Sequence, residues 1–148
     1  MKRLRNLGLV AILVFVISHF LPAYLQGSGF TCFAVCWKGL LGHDIEMFSG
    51  PWFYYSGFAI SNILFIGLAA ALFLTKKGRA FRLIVSVIFF LHVLSWLALH
   101  IFQHPSQVIE IKIGYYLWLV AYGLLVAAHL EKDPTELTGS IPVAQPVG

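Results

Sequence analysis

The chain has 148 residues, of which 59% are hydrophobic and only 11% are charged. Soluble domains carry about 25% charged residues, so a water-soluble fold of this length could not bury so much apolar surface. The composition therefore predicts an integral membrane protein and leaves no room for a separate soluble module. The net charge of +4 comes from basic residues at positions that set membrane topology, which argues against nucleic-acid binding.

Apolar segments long enough to cross a bilayer follow one another along the chain. A hydrocarbon core ~30 Å thick takes about 20 apolar residues in a helix. On this basis we predict spans at about residues 7–24, 52–74, 81–102 and 109–130. The first segment follows a basic start, so a cleaved signal peptide is the alternative there. A retained helix is favoured because no clear cleavage site follows that segment.

The distribution of basic residues predicts the orientation. Lys2, Arg3, Arg5 and the basic turn at 76–82 fall on one side of the membrane, whereas the loop at 29–58 holds only Lys38. The positive-inside rule then places both termini in the cytoplasm and the loop outside. If the first segment were cleaved, three spans would remain and the mature N-terminus would lie outside.

Short connections between spans predict an all-α fold, an up-down four-helix bundle. Residues 1–132 form the single four-span domain in this prediction. The polar segment 133–148, rich in Pro and Gly, is expected to be a flexible cytoplasmic tail.

The long first outer loop carries a helical pattern of its own. Phe30, Phe33 and Trp37 recur at three- and four-residue spacing, which predicts a short interfacial helix on the membrane surface. Other aromatic residues near the outer ends of the spans are expected to form an aromatic belt. The alternative for this aromatic richness is a docking surface for another membrane subunit.

Three polar side chains fall at similar depth inside the predicted spans: His19, Asn62 and His92. The favoured interpretation is an intramembrane polar cluster held together by hydrogen bonds between helices. The alternative is axial ligation of haem or a chlorophyll-type pigment by His92 with His19 or His100, since bis-histidine haem needs two imidazoles at equal depth. A proton relay is disfavoured because the spans contain no Asp or Glu to complete it.

Two pairs of potential ligands face outward at the same spacing. Cys32 and Cys36 are four residues apart, as are His100 and His104. Two thiolates and two imidazoles are a ligand set for tetrahedral zinc. A Cys32–Cys36 disulfide is favoured over free thiols, and free thiols over a metal site, because an extracytoplasmic cysteine pair is most often oxidised.

The motifs of an enzyme are missing, since no nucleophile–base pair, phosphate loop or carboxylate dyad is recognisable. We therefore expect a non-catalytic accessory or assembly subunit of a larger complex in a bacterial cytoplasmic membrane. Its expected partners are the lipid bilayer and other membrane subunits, or further copies of the chain, without a cofactor. The alternatives are a haem- or pigment-binding electron-transfer subunit and an outer-face thiol or zinc protein.

Overall fold

The computed structural model describes residues 2–43, 45–75, 78–103 and 105–131, with residues 2–5 described by their backbone alone. Most of this part of the chain is helical. Its elements, in chain order, are α1 (Lys2–Phe20), β1 (Pro22–Tyr24), β2 (Gly27–Ser28), α2 (Gly29–Leu40), α3 (Gly50–Leu74), α4 (Arg79–Gln103), a 3₁₀ helix (Pro105–Glu110) and α5 (Ile113–Leu130). The predicted tail at 133–148, His104, Lys76 and Lys77 lie outside the described residues.

Three of the described helices, α3, α4 and α5, are long and apolar enough to cross a membrane. The apolar stretch of α1 is shorter and covers Asn6–Phe20. The predicted first span ran to residue 24, but α1 ends at Phe20, because Pro22 has no N–H and disfavours helical backbone in the residue before it. The predicted fourth span began at 109, but α5 begins at Ile113, after the 3₁₀ helix.

The prediction of an all-α fold missed a small two-stranded sheet. β1 pairs antiparallel with β2, and the N–H of Leu25 donates to the carbonyl of Glu110 at 2.9 Å. The N–H of Lys112 donates to the carbonyl of Ala23, also at 2.9 Å. Buried backbone N–H and C=O groups need hydrogen-bond partners wherever a helix ends inside the protein. Here the hairpin after α1 and the connection between α4 and α5 supply these partners to each other.

The interior is built around stacked aromatic rings in the middle of the long helices. α1 packs mainly against α5 and also contacts α3. The rings of Phe15 and Phe65 stack with centroids 4.1 Å apart, and Phe65 lies 5.0 Å from the ring of Tyr122. Gly114 allows a close backbone approach at the start of α5, because a Cβ there would lie 2.6 Å from the carbonyl oxygen of Pro22.

The short helix predicted in the first outer loop is present as α2. Ser28 caps its N-terminus, since the Ser28 hydroxyl accepts a hydrogen bond from the Thr31 N–H at 3.3 Å. Its other end is tied to α3, because the indole N–H of Trp52 donates to the carbonyl of Leu40 at 3.2 Å. The start of α2 is tied to the end of α1, since the N–H of Gly29 donates to the carbonyl of Leu21 at 3.0 Å. With both ends attached, α2 lies over a space that it helps to line.

Candidate ligand cavity

A cavity of about 670 Å³ lies where the C-terminal ends of α1 and α4 meet the N-terminal ends of α3 and α5. α2 and the β1–β2 hairpin contribute the rest of its wall. The lining is mostly apolar, and none of the described lining residues is Asp, Glu, Lys or Arg. Its polar members with chemistry of interest are His19, Cys32, Cys36, Tyr54, Asn62 and His100.

Aromatic rings from three helices and the hairpin form one continuous wall of this cavity. Tyr24 contacts Trp96 with centroids 5.1 Å apart, and Trp96 contacts Tyr115 at 4.9 Å. Tyr115 in turn lies 5.9 Å from Trp118, which lies 5.9 Å from Phe58. Such edge and tilted contacts fix the orientation of each ring, so the wall is preformed.

Asn62 is the lining residue of α3 that lies furthest from the start of the helix, and only 6% of it is exposed. Its amide nitrogen donates to the carbonyl of Phe58 at 2.8 Å, and its amide oxygen accepts from the indole N–H of Trp118 at 3.0 Å. If the amide nitrogen and oxygen were exchanged, the oxygen would face the carbonyl of Phe58 and the nitrogen would face the indole N–H of Trp118. Neither hydrogen bond could then form. The orientation of the amide is therefore fixed.

The two cavity histidines are held by their own helices in the same way. Nδ1 of His19 lies 2.8 Å from the carbonyl oxygen of Phe15, and Nδ1 of His100 lies 3.0 Å from that of Trp96. A carbonyl only accepts, so in both rings Nδ1 carries the proton. In the neutral ring Nε2 is then an acceptor, which is the nitrogen that a ligand or a metal would use.

Cys32 and Cys36 line the cavity as free thiols, each half-buried. Burial raises the pKa of the Cys32 thiol above its usual range. Burial, with a smaller contribution from Cys32, raises the pKa of Cys36 to about 11. Both sulfurs are therefore protonated and weakly nucleophilic at neutral pH. The predicted disulfide stays a prediction.

The predicted haem ligands are divided between the cavity and the layer behind it. His19 and His100 line the cavity, whereas His92 packs behind lining residues, with its ring 4.5 Å from Phe58 and 5.4 Å from Tyr54. Within the described residues, Nε2 of His92 is buried without a hydrogen-bond partner.

The predicted polar cluster and metal site are only partly assembled. In the described part of the chain His19 and Asn62 hydrogen-bond to backbone carbonyls and to Ser18 and Trp118, not to each other or to His92. Among the described side chains no group of three His, Cys, Asp or Glu residues is arranged to hold a metal ion. His104, the fourth predicted ligand, lies outside the described residues.

The sequence did not indicate that Tyr54, Tyr115 and Trp118 line a cavity. Their positions near the outer ends of the predicted spans instead predict that all three belong to the aromatic belt. The structure turns them inward, and the hydroxyl of Tyr115 donates to the carbonyl of Val93 at 2.6 Å. No sequence signal separates an aromatic residue that faces lipid from one that faces a cavity at the same depth.

Comparison with known protein families, with curated proteins and with solved structures finds no match for this chain. Its function is therefore inferred from the chemistry of the cavity.

Proposed function

We propose that this chain is a multi-pass protein of the cell membrane, an up-down four-helix bundle with both termini in the cytoplasm. α3, α4 and α5 are long and apolar enough to span, and α1 supports a fourth span. Its apolar stretch, Asn6–Phe20, extends about 22 Å as a helix, and a bilayer core of ~30 Å thins locally to fit a short span at modest cost. The positive-inside rule, applied to the basic residues in the first turn of α1 and to those at 76–82, then orients the bundle.

Within this bundle the proposed function is binding of a small, neutral, mostly apolar ligand at the outer end. The cavity carries this proposal. Ligand sites in proteins measure about 300–1,000 Å³ and combine apolar and aromatic walls with a few fixed polar groups. The volume, the aromatic wall and the fixed amide of Asn62 match that description. A neutral ligand is favoured because none of the described lining residues is Asp, Glu, Lys or Arg.

The other functions expected from the sequence stay predictions. An accessory subunit would use the lipid-exposed apolar faces of the helices, which serve equally well as contacts with lipid. Haem ligation is supported by the positions of His19 and His100 on the cavity wall. Haem ligation is opposed by the lack of Lys or Arg among the described lining residues. The two propionates of haem are negatively charged and need such cations as hydrogen-bond partners.

Native mass spectrometry of the full chain, extracted from its membrane in mild detergent, tests the binding function. We expect a bound molecule of a few hundred daltons that is lost in Cys36→Trp, which places a bulky indole inside the cavity. Ala34→Trp is the matched control, since Ala34 is half-buried on the same helix but does not line the cavity. Equal masses of bound material in all three proteins, or none in any, would overturn the proposal.

A further inference from the structure

Asn62 offers hydrogen-bonding capacity that the described protein leaves unused. Its amide has two N–H donors and an oxygen with two lone pairs, and each side makes one hydrogen bond. One N–H and one lone pair therefore remain at a side chain that is more than nine-tenths buried and lines the cavity. An N–H or a lone pair left unused in apolar surroundings is unfavourable, so this position favours an occupant that can form the missing hydrogen bond.

We propose that the cavity selects a flat, neutral ring compound bearing one polar oxygen, a hydroxyl or a carbonyl, which pairs with the unused N–H or lone pair of the Asn62 amide. This inference rests on the proposed ligand-binding function and adds the class of ligand. The amide is held in place by Phe58 and Trp118, so it does not need to reorganise when the ligand binds.

The rings around the amide account for the flat, apolar part of the ligand. Phe58 and Trp118, the two residues that orient Asn62, are also 5.9 Å apart in the aromatic wall. A ring that stacks on this wall brings an attached oxygen next to the amide. Aromatic contacts favour flat ring systems over flexible acyl chains, because a rigid ring loses less conformational entropy on binding.

The oxygen requirement is tested with probes that share one ring system. 2-Naphthol offers a donor and an acceptor, 2-methoxynaphthalene only an acceptor, and 2-methylnaphthalene neither. Binding of each probe to the full chain in lipid nanodiscs is measured by its protection of Cys32 and Cys36 against maleimide, since both thiols line the cavity. The same measurements are made on Asn62→Leu, which keeps the volume and removes the amide.

The ratio of the 2-naphthol affinity to the 2-methylnaphthalene affinity is compared between the two proteins, so that partitioning into lipid cancels. We expect this ratio to fall roughly 2- to 12-fold in Asn62→Leu, the equivalent of one net hydrogen bond. 2-Methylnaphthalene should bind the variant as well as it binds the wild-type protein. An unchanged ratio would overturn the role of Asn62 and leave the cavity as an unselective apolar site.

Two further variants distinguish a failure of the Asn62 role from a failure of the binding function. Trp118→Phe removes the indole N–H that orients the amide but keeps Asn62, so the ratio should fall by less than in Asn62→Leu. It also keeps the test decisive if Asn62→Leu does not fold, since an unchanged ratio in Trp118→Phe would then refute the oriented amide. In Cys36→Trp the maleimide reaction is followed at Cys32, and none of the three probes should protect this thiol. If it keeps full protection, the binding function itself is wrong.

Discussion

Gly57 lies where α3 passes closest to His92 of α4, and adding one methyl group there perturbs that contact directly. A Cβ at Gly57 would lie 2.5 Å from Nε2 and 2.8 Å from Cε1 of the imidazole. Ordinary contact is about 3.5 Å, so the ring would have to move by about 1 Å. The ring is confined, because Tyr54 and Phe58 lie 5.4 and 4.5 Å from it.

Gly57→Ala is therefore expected to destabilise the fold. Overpacking of this kind costs about 1–3 kcal/mol, and the gain from replacing glycine in a helix offsets only about 0.4–1 kcal/mol of it. The net loss should be about 1–2 kcal/mol. The assay is the free energy of unfolding in detergent, followed by tryptophan fluorescence. The disturbed ring also contacts Tyr54 and Phe58 of the cavity wall, so ligand protection of the thiols should weaken in parallel.

Gly67→Ala is the matched control on the same helix, because a Cβ there would meet nothing within 4 Å. It should leave the free energy of unfolding unchanged or raise it by up to about 1 kcal/mol. In Gly57→Ala/His92→Ala the clash is relieved, so the loss should be smaller than the sum of the two single losses. Equal stability of Gly57→Ala and Gly67→Ala would refute the close contact between α3 and His92.

Two further predictions concern the ends of the bundle. The guanidinium of Arg79 donates to the carbonyls of His129 and Leu130 at 2.9 and 2.7 Å, so Arg79→Gln should lower the free energy of unfolding by about 1–2 kcal/mol. Arg79→Lys should lose less, and an equal loss would refute the capping role. At the opposite end, burial is the larger cause of the raised pKa of Cys36, and it remains when Cys32 is replaced. Alkylation of Cys36 in Cys32→Ser at pH 8 should therefore be roughly 10-fold slower than that of a free thiol. The rate should still be rising above pH 9, whereas a plateau below pH 9 would contradict the burial of Cys36.

The features that the sequence predicted correctly all depend on local order along the chain. The apolar segments predicted three helices that are long and apolar enough to cross a membrane, because apolar composition and length suffice to recognise them. The spacing of Phe30, Phe33 and Trp37 gave α2, because residues three and four apart share a helix face. The predicted end of the first span at residue 24 is wrong, since Pro22 disfavours helical backbone in the residue before it and α1 ends at Phe20.

The candidate site was only partly predictable. His19, His100, Cys32 and Cys36 were recognised as residues that carry chemistry, and the structure places all four on one cavity. Asn62 was recognised as an intramembrane polar residue, but its partner Trp118 lies 56 residues away in the chain. Sequence spacing carries no information about a pair so far apart.

The sequence by itself determined that the chain is apolar and helical, because composition and local periodicity depend only on neighbouring residues. The tertiary structure decided how the hairpin after α1 pairs with the connection between α4 and α5. It also decided that aromatic residues of separate helices face a common space under α2. Aromatic side chains of this kind suit both lipid and protein surroundings, so their direction depends on how the helices pack and not on the residues alone.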